Sequence, residues 1–254
     1  QTCVGVVRLR IEEIAPRRPG PNTPLNNGGC DVAEEPQEQA PGTRHPGGRR
    51  VTDPKYPLAP NGVFRTVQGE GVLLGEPMVF IRLAGCNVNC DGCDTDYSVA
   101  GHATAAEIGR RAAELATPAT RWAWITGGEP TIHQLRPLVG SLKRAGFAVA
   151  LATSGVRSVV RDAGGVDFVS VSPHRLDSSW VCRRGEQLNL VPGLGSLTLA
   201  DMDKAEWLGE FQSGFGAKFV TPAEGGDVAA CVEWVNRHPG YRLGVQAHKT
   251  WGLA

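Results

Sequence analysis

Cys86, Cys90 and Cys93 fall within eight residues, in the run Cys86-Asn87-Val88-Asn89-Cys90-Asp91-Gly92-Cys93, soon after the apolar stretch Val79-Phe80-Ile81-Arg82-Leu83. Thiols this close can turn their sulfurs toward one centre. A structural zinc site wants four ligands in a tetrahedron, and no fourth Cys or paired His follows at finger spacing. A four-iron cubane held by three thiolates keeps one iron open for a ligand that is not protein. The amino and carboxylate groups of S-adenosylmethionine can chelate that iron. A zinc knuckle borrowing a distant ligand, or free thiols on a loop, are the competing readings of the spacing alone.

Further polar groups follow apolar runs in the same way. Thr126-Gly127-Gly128-Glu129-Pro130 offers glycines for close backbone approach and a carboxylate that can accept from an ammonium group. Thr153-Ser154-Gly155, Ser172-Pro173-His174 and Gln246 with His248-Lys249 complete the set. Singly, each has a bland explanation: Gly-Gly-Glu-Pro is often a turn before a helix. Their positions make them a set.

The elements that must position these groups alternate. Val79–Leu83, Arg121–Thr126, Phe147–Ala152, Asp167–Ser172, Ala217–Thr221 and Tyr241–Gln246 read as strands. Thr104-Ala105-Ala106-Glu107 is a capping box, followed by Ile108, Ala112 and Leu115 at helical spacing. Leu135, Leu138, Val139 and Leu142 mark a second helix that Gly146 ends, a short helix is expected near Arg157, and another spans Met202 to Phe211. Asp227 caps a last helix with Val228, Cys231, Val232 and Val235 on one face, and residues 175–200 read as irregular. Strand–helix alternation predicts an α/β fold with a parallel sheet and right-handed crossovers. Six strands are too few for a closed eight-stranded barrel, so an open, partial TIM-like barrel is expected. In such a sheet function gathers at the carboxyl ends of the strands, where all the polar groups above fall.

Composition narrows the class further. The 254 residues are 41% hydrophobic and 20% charged, with formal net charge zero. That balance gives no sign of a nucleic-acid or membrane surface, and no apolar run reaches the roughly 18 residues of a membrane span. Seven cysteines, three clustered and four scattered, do not resemble a disulfide framework, so a reducing cytoplasm is expected. Residues 1–55 are rich in Pro, Gly and Arg and poor in apolar groups, the composition of a largely disordered extension. Only Val4–Ile11 could form a strand there, and Cys3, Cys30 and His45 read as loop residues. The folded domain is expected over 56–254.

From about Phe64 onward the chain resembles the 7-carboxy-7-deazaguanine synthase family of radical-SAM enzymes. The resemblance rests on Gln68-Gly69-Glu70-Gly71, on Arg82 four residues before Cys86, and on the Cys triplet running into Asp94-Thr95-Asp96. It continues through Thr126–Pro130, Ser172-Pro173 and the ending Gln246-Ala247-His248-Lys249. The Cys triplet and Gly-Gly-Glu-Pro are shared by many radical-SAM enzymes; the other motifs are more specific. The resemblance implies a homodimeric lyase of queuosine biosynthesis, with a 4Fe-4S cluster, S-adenosylmethionine and Mg²⁺. Its implied substrate is 6-carboxy-5,6,7,8-tetrahydropterin, whose ring contracts with loss of ammonia, and its partner an electron donor such as flavodoxin or ferredoxin. Carried over position by position, Cys86, Cys90 and Cys93 hold the cluster and Thr95 the Mg²⁺. Gly128, Glu129, Thr153, Ser154, Ser172, Pro173 and His174 take S-adenosylmethionine. Val67, Gln68, Gly69, Glu70, Arg82, Thr126, His248 and the carboxylate of Ala254 take the pterin. His174 departs from the family, which usually has Lys after Ser-Pro. Two rivals stand beside this reading: a glycyl-radical-enzyme activase with the same Cys triplet, and a non-catalytic iron–sulfur or zinc module.

Overall fold

The computed structural model describes residues 53–159, 165–204 and 214–253. Residues 1–52 lie outside that range, and with them nearly all of the expected extension, its strand over 4–11, Cys3, Cys30 and His45. Ala254 lies outside it too.

A nine-stranded sheet forms the frame: β1 (Lys55–Val67), β2 (Pro77–Leu83), β3 (Gly101–Thr104), β4 (Trp122–Gly127), β5 (Ala148–Thr153), β6 (Phe168–Val171), β7 (Gly185–Leu190), β8 (Phe215–Val220) and β9 (Arg242–Leu243). Their order is β3-β1-β2-β4-β5-β6-β7-β8-β9. β1 pairs antiparallel with β2 and β3, and every pairing from β2 to β9 is parallel. The order does not return to its start, so the architecture is an open partial barrel.

Among the described residues there are five α-helices, α1 (Ala105–Leu115), α2 (Leu135–Arg144), α3 (Leu199–Asp203), α4 (Val228–Arg237) and α5 (Ala247–Trp251). The start of α1 is the predicted capping box: Thr104 Oγ1 accepts from the Glu107 amide and Glu107 accepts from the Thr104 amide. Asp227 caps α4 by accepting from the Ala230 amide. Residues 155–159 carry no helix, and the remainder of the helix expected near Arg157 runs into residues outside the described range. The helix expected from Met202 likewise runs beyond it after Lys204. No helix among the described residues is long and apolar enough to cross a membrane.

Three strands escape the sequence reading. In β1, Pro60, Asn61 and Gly62 look like a break. The register shift between Leu58 and Val63 places them in a bulge, where a ladder amide is not required. β3 is only four residues long. β7 falls inside the stretch read as irregular, because its alternating residues Gln187 and Asn189 are polar yet buried. The last predicted strand shrinks to the two residues of β9.

Parallel register sorts the side chains of each strand by face. Val79, Ile81 and Leu83 of β2, Ala123 and Ile125 of β4 and Val149 and Leu151 of β5 join α1 and α2 in one fully buried cluster. Val169, Leu188, Val220 and Trp234 centre a second, under α4. The alternate residues Met78, Trp124, Ala150 and Phe168 form a third cluster, with Phe80 and Trp122 packed on it. Bulky side chains therefore fill one end of the barrel interior, as in closed barrels, and the polar residues that continue the same rows lie beyond them.

Candidate active site

The Cys loop begins three residues past β2, and the turn after β4 is built directly against it. Gly127 has φ +127°, a left-handed conformation that glycine tolerates. A Cβ on Gly128 would collide with the Gly85 carbonyl and stand 3.0 Å from Cys86 Cβ. The Gly128 amide donates to Leu83 O (3.0 Å), and the Glu129 amide donates to Gly85 O (3.0 Å). Two glycines thus let the β4 turn clasp the base of the thiol loop. On the far side the Gly195 amide donates to Asp91 O (3.1 Å) and the Ser196 amide to His174 O (3.2 Å), so the loop is held from two strand ends.

Cys86, Cys90 and Cys93 are unpaired, the first two half-buried and the third exposed, whereas Cys182 and Cys231 are buried in the core. Burial, then the charges of Cys93 and Cys86, push the Cys90 thiol up to about 11, so the three thiols sense one another. Among the described residues no three His, Cys, Asp or Glu side chains converge to hold one ion. A hollow of ≈ 480 Å³ beside Cys90, Cys93, Thr95 and Tyr97 leaves room at the loop.

Glu129, expected to accept from an ammonium ligand, already accepts from several donors of its own chain. It is 2% exposed. Its Oε1 accepts from the Thr131 amide (3.0 Å), Thr131 Oγ1 (2.6 Å) and Thr153 Oγ1 (2.7 Å). Its Oε2 accepts from the Ser154 amide (2.7 Å) and Ser154 Oγ (2.5 Å). Five protein donors therefore occupy the carboxylate, which ties the β4 turn to the β5 turn. Thr153 and Ser154, buried and committed to Glu129, act in the same tie. Ser172 donates from Oγ to Asn189 O (2.9 Å), and Pro173 is buried beside it. His174 Nδ1 is shut off from solvent without a hydrogen-bond partner, and burial holds the imidazole below its ordinary pKa, with Glu129 pulling the other way. An orphaned ring nitrogen beside the thiol loop fits a site where a small polar molecule supplies the missing contact.

Inside the barrel, beyond the aromatic layer, lies a cavity of ≈ 210 Å³. It gathers Val67, Gln68, Gly69, Glu70, Arg82, Thr126 and His248 from four separate segments of the chain. Thr95 reaches both this cavity and the hollow at the thiol loop. Arg82 and Thr126 are register partners on β2 and β4, and the Arg82 guanidinium lies over the Phe64 ring, 5.1 Å from its centroid. Gln68 Oε1 accepts from the amides of Gly69 (2.8 Å) and Glu70 (3.2 Å), which fixes the turn after β1. A Cβ on Gly69 would stand 2.5 Å from His248 Nδ1, and the Ala247 amide donates to Gly69 O (2.9 Å). The start of α5 therefore seats directly on that turn.

The same wall holds residues that sequence reasoning missed: Phe80, Trp124, Ser170, Gln187 and Asn189. Phe80, Trp124 and Ser170 alternate with core residues on strands that were recognised, so strand register would have found them. Gln187 and Asn189 sit on a strand that was not. Asp94 also faces the cavity. Burial works against its ionisation, yet Lys249 Nζ at 2.6 Å holds its carboxyl below the usual carboxylate range. Lys249 also pairs with Glu224 at 3.2 Å.

No family model matches the chain. Among individual proteins, it is 32% identical over 210 residues to 7-carboxy-7-deazaguanine synthase from Burkholderia multivorans, covering 74% of this chain and 94% of that one. The enzyme of the same name from Bradyrhizobium diazoefficiens is 32% identical over 214 residues, covering 75% and 96%. The crystal structure of QueE from Escherichia coli superposes with a TM-score of 0.62 at 27% identity, covering 76% of this chain and 95% of that one. Near-complete coverage of these relatives, together with a Cys loop and polar cavity at the same end of an open parallel barrel, places this chain in the 7-carboxy-7-deazaguanine synthase family.

Proposed function

We propose that the chain is a radical-SAM lyase converting 6-carboxy-5,6,7,8-tetrahydropterin to 7-carboxy-7-deazaguanine with loss of ammonia, in queuosine biosynthesis. The observation that carries this reading is the recessed cavity lined by Gln68, Glu70, Arg82, Thr126 and His248, with Thr95 reaching from it to the Cys loop. Cys86, Cys90 and Cys93 would hold a 4Fe-4S cluster, which supplies the electron that cleaves S-adenosylmethionine to generate a hydrogen-abstracting radical. The ring closed over by the β4, β5 and β6 turns, with His174, would take S-adenosylmethionine.

The chain's own residues bind, orient and exclude water. Arg82, held over Phe64, presents a planar pair of donors that matches the substrate carboxylate. Glu70 offers acceptors to the pterin's N–H groups. Phe80 and Trp124 supply the apolar floor against which the bicyclic ring would pack. The recessed position, covered further by bound ligands, would limit the access of water to a reactive intermediate. An electron donor such as flavodoxin or ferredoxin and a homodimeric assembly belong to the same reading.

Anaerobic reconstitution with iron and sulfide, followed by incubation with S-adenosylmethionine, reductant and 6-carboxy-5,6,7,8-tetrahydropterin, should yield 7-carboxy-7-deazaguanine and ammonia. Cleavage of S-adenosylmethionine without pterin consumption would reject the assignment, as would glycyl-radical formation on a protein substrate.

Thr95 is the group we assign to Mg²⁺, a hard cation that takes few protein ligands and keeps water or substrate oxygens for the rest of its shell. Thr95→Ala is expected to lower turnover several-fold, roughly the loss of one oxygen ligand, and to raise the Mg²⁺ concentration needed for half-maximal rate. Iron content should not change. Unaltered Mg²⁺ dependence would remove Thr95 from the metal's shell.

A further inference from the structure

Along β7 the inward residues are two amides, Gln187 and Asn189, 2% and 4% exposed. Both reach the turn after β1. Gln187 Oε1 accepts from the Val72 amide (2.8 Å) while its Nε2 donates to Ser170 Oγ (3.1 Å). A Cβ on Gly71 would run into that same amide, so the turn and the strand are fitted to each other. Asn189 donates from Nδ2 to Glu70 Oε2 at 3.0 Å, and its Oδ1 accepts from Thr221 Oγ1 at 2.5 Å. The other Glu70 oxygen accepts from Gln246 Nε2 at 2.9 Å, with His248 Nδ1 3.9 Å away.

These contacts settle which way each group faces. A carboxylate can only accept, so the nitrogen end of the Asn189 amide faces Glu70, and the Thr221 hydroxyl donates to its oxygen end. A carboxylate with one donor on each oxygen is locked in its plane and keeps lone pairs for a ligand. Of the two carboxylates on the cavity wall among the described residues, Asp94 is paired to Lys249, so Glu70 is the one available to a bound molecule's N–H groups.

We infer that Asn189, oriented by Thr221, is a positioning residue for substrate recognition: it aims the Glu70 carboxylate at the N–H edge of the pterin. The inference rests on the pterin reading above and adds to it the residues that set the acceptor's direction.

Asn189→Asp keeps the shape but faces one carboxylate with another. Thr221→Val keeps the shape but frees the Asn189 amide to turn over. The probe is 6-carboxypterin, an unreactive ring with the same amino edge and carboxylate, titrated calorimetrically into the anaerobic holoenzyme. Asn189→Asp should weaken its binding about tenfold or more, the loss expected for a charge-assisted hydrogen bond replaced by repulsion. Thr221→Val should weaken it about threefold, as a neutral contact acting at second hand. S-adenosylmethionine binding and iron content should stay at wild-type values, and with the reactive substrate KM should rise more than kcat falls.

A pH series supplies a signature that a structural defect lacks. As pH falls, the facing carboxylates of Asn189→Asp take up one proton and regain a hydrogen bond. The ratio of variant to wild-type affinity should therefore recover toward one on the acid side. His248, Lys249 and Asp94 also face Glu70, and the ratio cancels them because both proteins carry them. A wild-type enzyme that does not bind 6-carboxypterin rejects the pterin reading itself. Wild-type binding with both variants within twofold of it overturns the role of Asn189 alone. If Asn189→Asp does not fold, Thr221→Val decides.

Discussion

Each of Cys86→Ala, Cys90→Ala and Cys93→Ala is expected to lose the brown iron–sulfur chromophore and all S-adenosylmethionine cleavage. Three thiolates are the only protein ligands the loop offers a cubane, and two do not retain it. The other described cysteines provide the control. Cys182 and Cys231 lie in the outer core beside Leu188 and Trp234, so replacing either with Ala should cost about 1 kcal/mol of packing and leave iron content intact. Iron quantified after reconstitution, with the visible spectrum, reads both results. Loss of iron in Cys182→Ala, or full iron in Cys93→Ala, would reassign the cluster.

A second large effect is expected at Glu129, and it concerns stability. Glu129→Gln retains the shape but sets a donor NH₂ against a site furnished only with donors from Thr131, Thr153 and Ser154. The hydroxyls can turn; the Ser154 and Thr131 amides cannot. Losing charge-assisted bonds and stranding a buried amide together cost about 2–4 kcal/mol. At about 2–4 °C per kcal/mol for a domain of this size, the thermal midpoint of the cluster-free protein should fall by roughly 5–15 °C. A midpoint unchanged by the substitution, with S-adenosylmethionine affinity alone reduced, would return Glu129 to direct contact with that ligand.

Those two sites show where sequence reasoning reaches and where it stops. Spacing alone brings the three thiols onto one loop, because covalent continuity over eight residues leaves little choice. Capping chemistry at Thr104 and Asp227 is local too, and the structure reproduces it. Glu129 is different: three of its five donors lie at the end of β5, more than twenty residues on, and nothing local tells a carboxylate that binds a ligand from one that binds its own chain. Gln187 and Asn189 were invisible for a related reason. A strand with polar residues at alternate positions looks like an exposed loop or edge, unless one knows that its second face lines a cavity. The cavity's other members, from Gln68 to His248, were reached through family resemblance, and it took folding to bring residues 67–70, 82, 126 and 248 onto one wall.

The alternation along β7 has a consequence for how this scaffold can change. Gln187 and Asn189 look into the lumen, while Leu188 and Leu190 belong to the outer cluster with Trp234. One six-residue segment therefore carries two nearly independent instructions, one for what is recognised and one for what holds together. Substitutions at the odd-numbered positions act on the cavity and on the turn after β1 rather than on the apolar outer cluster. A single inserted or deleted residue would exchange the two rows, sending leucines into the lumen and amides into the core. A lineage, or an engineer, seeking a new substrate on this barrel has point substitution open at β7 and length variation closed.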